Sequence, residues 1–103
     1  MLHVIVTMEI QEGRMDAFLA LCEALRPQVL AEPGCLAYDY TREVAAGLGI
    51  QEAVEPNRIT LIERWESPEA LRKHLEAPHM KEAGPRMKEL RASVTARVCE
   101  SIF

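Results

Sequence analysis

The chain has 103 residues, of which 49% are hydrophobic and 27% charged. That is enough for one domain with a buried core and too few for a catalytic domain joined to a separate cofactor domain. A formal net charge of -4, with no Lys/Arg run to offset it, offers no footprint for a phosphate backbone and argues against nucleic acid as a partner.

The start Met1-Leu2-His3-Val4 passes directly into a strand pattern, without a basic region or cleavage site, and no stretch is long and apolar enough for a transmembrane helix. Cys22, Cys35 and Cys99 are odd in number, far apart and lack a CxxC spacing. They read as small apolar fillers in a reducing, cytoplasmic setting.

Residues 3–10 are rich in β-branched types and place Val4, Val6, Met8 and Ile10 on one face, which predicts a first strand. After a turn at Gln11-Glu12-Gly13, Met15, Phe18, Leu19, Cys22, Leu25 and Val29 recur at helical spacing up to the stop Glu32-Pro33-Gly34. Pro27 removes one backbone bond from this helix and should kink it. Residues 35–42 alternate Leu36, Tyr38 and Tyr40 against Ala37, Asp39 and Thr41, a second strand. Val44 to Pro56 has no period and reads as a long loop, and residues 57–65 form a third strand.

Ser67-Pro68 then opens a helix with a hydroxyl cap and a proline in the first turn, and Pro78 closes it. A turn is expected over His79 to Ala83, a further helix from Pro85 to about Ala92, and a fourth strand over Val94 to Phe103. The order β-α-β-β-α-β, with the second helix split, predicts an α+β, ferredoxin-like domain with a four-stranded antiparallel sheet.

Both helices of such a domain cover one sheet face. Ile5, Ile62 and the terminal pair Ile102-Phe103 make the other face apolar in this reading. A partner sheet would bury it, so a homodimer is expected.

On a helical wheel the 67–77 helix gathers Glu69, Arg72, Lys73 and Glu76 on one side and Ala70, Leu71, Leu75 and Ala77 on the other. His74 falls within the apolar side and should face the sheet, either as a proton acceptor near neutral pH or as a core histidine bonded to a backbone carbonyl. Trp65, the single tryptophan, ends the third strand as a pocket wall or as core.

Glu63 shares its face and is either buried with a partner or beside a polar cavity. Tyr38 and Tyr40 either offer hydroxyls to that cavity or pack. His79 lies at the edge of the Met80, Ala83, Met87 and Leu90 stripe, in a surface turn by this reading. His74 and His79 are five apart across a proline, which is not the spacing of a helical metal site, and no metal is expected. The nucleotide, P-loop and serine-hydrolase motifs are absent from the sequence.

Glu32-Pro33-Gly34-Cys35-Leu36 with Tyr38-Asp39, then Ile62-Glu63-Arg64-Trp65-Glu66-Ser67-Pro68-Glu69-Ala70-Leu71 with His74, then Pro78-His79, together resemble the antibiotic biosynthesis monooxygenase domain family. The resemblance runs over nearly the whole chain and implies a dimeric α+β barrel. It also implies a cofactor-independent oxygenase, in which a deprotonated quinol or anthrone reduces O₂ in a dry pocket.

It assigns pocket roles to His74 and Trp65, with His74 as base, and Glu63, Tyr40 and His79 complete the candidate set. Haem is disfavoured, because the strand-one asparagine of the haem-degrading branch is missing from Val4-Ile5-Val6-Thr7-Met8. The 44–56 loop is longer than is usual in the family and would reshape or cover the pocket mouth. A dimeric binding module for a small apolar ligand, or an isomerase moving protons on the same scaffold, are the alternatives.

Overall fold

Side chains alternate along strand β1 (Leu2–Ile10), so Val4, Met8 and Ile10 are buried on one face while Ile5 stands on the other. In a computed structural model that describes all of residues 1–103, β1 is followed by α1 (Met15–Leu30), β2 (Cys35–Arg42), β3 (Arg58–Trp65), α2 (Pro68–Glu76), α3 (Pro78–Leu90) and β4 (Arg91–Glu100). The strands form one antiparallel sheet in the order β2-β3-β1-β4. This is the expected α+β, ferredoxin-like architecture, with its second helix in two pieces.

The core lies between one sheet face and the helices. Val4, Met8 and Ile10 of β1, Ile59, Leu61 and Trp65 of β3, and Tyr38 of β2 meet Phe18, Cys22, Leu25 and Val29 of α1 and Ala83, Met87 and Leu90 of α3. Helix α1 continues through Pro27 to Leu30. Ser67 caps α2 by accepting from the backbone N–H of Ala70 at 3.2 Å, with Pro68 in the first turn. Gly34 takes φ +84° in the turn after α1, and a Cβ there would come within 2.6 Å of the Ala70 methyl. A side chain at position 34 would hold α2 away from this turn.

Several details differ from the sequence expectation. Residues 79–83 are helix rather than turn: Ala77, extended at φ -61° and ψ 141°, ends α2 and starts α3, whose first position is Pro78. Pro85 lies inside α3 on its exposed side, where water can serve the carbonyl it leaves unpaired. Leu36 does not share the face of Tyr38 and Tyr40, because the β2–β3 register shifts between Cys35 and Ala37 and leaves Leu36 exposed.

Strand β4 ends at Glu100, opposite Leu2, and Ile102 and Phe103 lie exposed beyond it. Cys22 is buried, Cys35 is half-buried and Cys99 is exposed, so the third cysteine is not a filler.

The helix-free face is more polar than expected. Ile5 and Ile62 lie opposite each other across β1 and β3, 37% and 40% exposed, and Thr7, Thr60, Arg64 and Arg97 share their face. More exposed apolar side chains lie elsewhere, among them Val94 and Val98 of β4, the segment between β2 and β3, and the terminal Ile102 and Phe103. That segment has no helix or strand over residues 43–57. It is tied to the sheet by Arg58, which bridges Glu9 at 2.6 Å and Glu43 at 3.2 Å, and by the Glu55 N–H donating to Glu43 at 3.0 Å.

Candidate active site

The sheet and the two halves of the split helix line a partly open cavity of about 220 Å³. The pleat of β1 aims Val6 and Met8 into it, β3 supplies Leu61, and the α3 segment supplies Met80 and Met87. Leu75 of α2 borders it although its side chain is largely exposed. Polar atoms enter this apolar space from Tyr40, Glu63, His74 and Arg91. An apolar cavity of about 150 Å³ accepts a benzene-sized guest, so this one suits a ligand of one or two fused rings.

His74 is 2% exposed and faces the sheet as its helical position requires. Its ring lies against Trp65, with centroids 4.7 Å apart, and meets Tyr38 edge-on at 5.5 Å. Trp65 is fully buried and donates its indole N–H to Glu63 Oε1 at 2.9 Å. Glu63 is 4% exposed, and burial raises its carboxyl above the usual range, partly opposed by the Trp65 N–H and by His74. Burial likewise pushes the hydroxyls of Tyr38 and Tyr40 well above the usual phenol range and the Cys22 thiol up to about 11. The Tyr40 hydroxyl is buried beside the Tyr38 hydroxyl and the Cys22 thiol without a well-formed hydrogen bond to either, a state that costs up to about 1–3 kcal/mol unless a ligand supplies a partner.

His74 is not bonded to a backbone carbonyl. Its Nδ1 lies 2.9 and 3.1 Å from the two carboxylate oxygens of Glu32. A carboxylate can only accept, so Nδ1 carries the proton and Nε2 of the neutral ring keeps its lone pair. His79, in the first turn of α3, meets the same carboxylate, with Nε2 2.6 Å from Glu32 Oε2. Glu32 therefore joins the end of α1 to α2 and to α3.

His74, Glu63 and Tyr40 line one cavity. Trp65 stands behind His74 and does not line the cavity, so its contact is with the candidate base. His79 is not in a surface turn: only 19% of its side chain is exposed, and it borders a separate groove between α1 and α3. The long segment before β3 contributes no residue to the cavity.

The sequence reading gave no chemical role to Glu32 or Arg91. Glu32 reads locally as part of a helix stop, and no periodic pattern links it to a histidine 42 positions away. Arg91 reads as the polar end of a helix, whereas it begins β4 beside the cavity. No group of three or more His, Cys, Asp or Glu side chains has the arrangement of a metal site.

These groups form an apolar chamber with a carboxylate-held imidazole, an unpartnered hydroxyl and a guanidinium at its edge. Residues 1–86 match the family model described as antibiotic biosynthesis monooxygenase. The chain is 39% identical over 83 residues, 79% of each chain, to YgiN of Escherichia coli (strain K12), described as a probable quinol monooxygenase.

Among solved structures, Rv0793 from Mycobacterium tuberculosis superposes with a TM-score of 0.82 at 26% identity, covering 99% of this chain and 95% of that one. A conserved protein from Methanosarcina mazei Go1 superposes at 0.85 with 22% identity, covering 97% and 91%, and shares the fold. On the family match and the curated relative together, the chain belongs to the antibiotic biosynthesis monooxygenase family.

Proposed function

We propose that this protein oxidises a small electron-rich aromatic of the quinol class with O₂, without an added cofactor. The observation that carries the reading is His74 on the wall of an apolar cavity, with Nδ1 bound to the Glu32 carboxylate and Nε2 left to accept a proton. Nε2 takes the hydroxyl proton of the quinol, and Glu32 stabilises the imidazolium that forms. Arg91 and the Tyr40 hydroxyl stabilise the oxyanion.

The bound anion gives one electron to O₂. The resulting radical pair joins at a ring carbon as a peroxide, which takes back the proton held on His74. Loss of water then leaves a hydroxylated quinone, so one quinol and one O₂ become one hydroxyquinone and one water. The apolar walls exclude bulk water from the anion while O₂ is present.

The working unit is a homodimer, a reading supported by the Ile5/Ile62 pair and by the uncovered Val94 and Val98 of β4. The free thiols are compatible with a cytoplasmic setting.

Oxygen uptake with a series of one- and two-ring quinols, corrected for protein-free autoxidation, tests the proposal. We expect one O₂ consumed per quinol, ¹⁸O from ¹⁸O₂ in the hydroxyquinone, and a loss of about 10²- to 10⁴-fold in H74A. Uptake no faster than autoxidation, or full turnover in H74A, would refute it. Saturable quinol binding without oxygen uptake would assign the cavity to a binding module.

A further inference from the structure

The carboxylate of Glu32 is shared by two imidazoles that open on different spaces. His74 faces the cavity, and His79 borders the groove of about 180 Å³ between α1 and α3, with Gln28, Glu82 and Arg86. The three side chains are continuous, since the Glu32 Oε2 atom lies 2.9 Å from His74 Nδ1 and 2.6 Å from His79 Nε2.

The bridge is largely closed to water, with the His74 side chain 2% exposed and that of Glu32 11%. One carboxylate in such a place balances one positive charge. A second imidazolium on the same carboxylate would be uncompensated and would face its like-charged neighbour.

We infer that His79 is a positioning residue whose charge keeps His74 ready to accept a proton. Glu32 holds one imidazolium at a time. Where one of the two rings is protonated, the charge sits on His79, where the groove admits solvent, and His74 stays neutral. When Nε2 of His74 takes the substrate proton, the compensating charge is needed in the cavity, and His79 releases a proton from Nδ1 into the groove. Its Nε2–H still donates to Glu32. The reverse exchange accompanies return of the proton to the peroxide. One proton enters the cluster and one leaves at each stage, so its net charge is unchanged.

The other groups around the cluster do not provide this compensation. His74 is otherwise faced by Tyr38 and Trp65 and shares its cavity with Tyr40, Glu63 and Arg91; the Glu63 carboxyl is raised by burial and bonded to the Trp65 N–H, and the Arg91 guanidinium keeps its charge throughout, so neither exchanges a proton with Glu32. The Cys35 thiol near Glu32 is raised by burial and by the Glu32 charge, which keeps it in its neutral form. On the groove side Glu82 and Arg86 carry opposite charges and leave His79 as the group bonded to Glu32.

This inference rests on the reading of His74 as a base, and its test has one arm that needs no substrate. H79Q keeps an amide N–H for Glu32 but no charge, whereas H79K keeps a charge but no imidazole. Ring ¹⁵N spectra of the substrate-free proteins should show the His74 titration moving to higher pH by about one unit in H79Q and returning towards wild type in H79K.

With a quinol, the acid limb of the kcat/KM profile should move the same way, with activity preserved at high pH. An unmoved His74 titration in H79Q, a rate loss equal at all pH values, or H79K behaving as H79Q would overturn the coupling. Absence of quinol oxidation in wild type would defeat only the proposed reaction, because the spectra decide the coupling without it.

Discussion

Replacing Tyr40 by Phe separates a ligand-binding hydroxyl from a packing one, because the two roles give opposite signs for stability. The Tyr40 oxygen is buried and makes no well-formed hydrogen bond to its neighbours, the Tyr38 hydroxyl and the Cys22 thiol, while its ring packs edge-on against Tyr38 at 5.5 Å. Phe preserves the ring contact and removes a desolvated, unpaired polar atom, which should stabilise the fold by about 1 kcal/mol. For a chain of this length the unfolding entropy is about 0.2 kcal/mol per degree, so Y40F should melt about 5 °C higher.

Turnover should move the other way. A hydrogen bond to a quinol oxyanion contributes about 1.5–3 kcal/mol, so its loss predicts a fall in kcat/KM of about 10- to 100-fold. Calorimetry and oxygen uptake on the same preparation measure both. A lower melting temperature in Y40F would show that the hydroxyl has a partner in the folded protein, and unchanged turnover would remove Tyr40 from the reaction.

E63Q should raise stability most at neutral and alkaline pH. Burial raises the Glu63 carboxyl in the fold, so its contribution is most favourable below the unfolded carboxyl's range and declines as pH rises through the folded value. Gln keeps an acceptor for the Trp65 N–H, and denaturation curves should show the variant's advantage growing with pH; a constant difference would mean that Glu63 does not titrate with folding.

I62D places a charge on the half-exposed Ile5/Ile62 pair and should reduce the species at twice the 11.6 kDa chain mass to monomer in light scattering, at little cost to the melting of the monomer. A wild-type protein that is already monomeric at micromolar concentration would refute the dimer.

The parts of the fold legible in the sequence are those set by local periodicity. Period two in residues 3–10 and 57–65 identified the buried faces of β1 and β3, and the wheel from Ser67 to Ala77 turned His74 inward. Features that depend on distant partners were not legible. Proline at 78 reads as a stop, yet it opens α3 because the extended Ala77 serves both helices, and this turns His79 towards Glu32. Leu36 follows the alternation of its strand until a register shift removes it. Glu32 carries no periodic signal, since its importance comes from two helices meeting at the end of a third.

The pairing of β1 with β4 brings Leu2 opposite Glu100, and the Ser101 N–H donates to the Met1 carbonyl at 3.3 Å. The two ends of the chain are therefore neighbours, although every sequence position separates them. A short linker across this gap, with the chain opened near Gly49 in the segment outside helix and strand, would give a circular permutant that retains every side chain of the cavity. In that order of elements β4 and β1 become a hairpin, and the longest-range pairing of the fold becomes local. Opening the chain there makes β2 and β3 the end-to-end pair in their turn, so the permutant exchanges one whole-chain closure for another and should reach the same site at a similar rate.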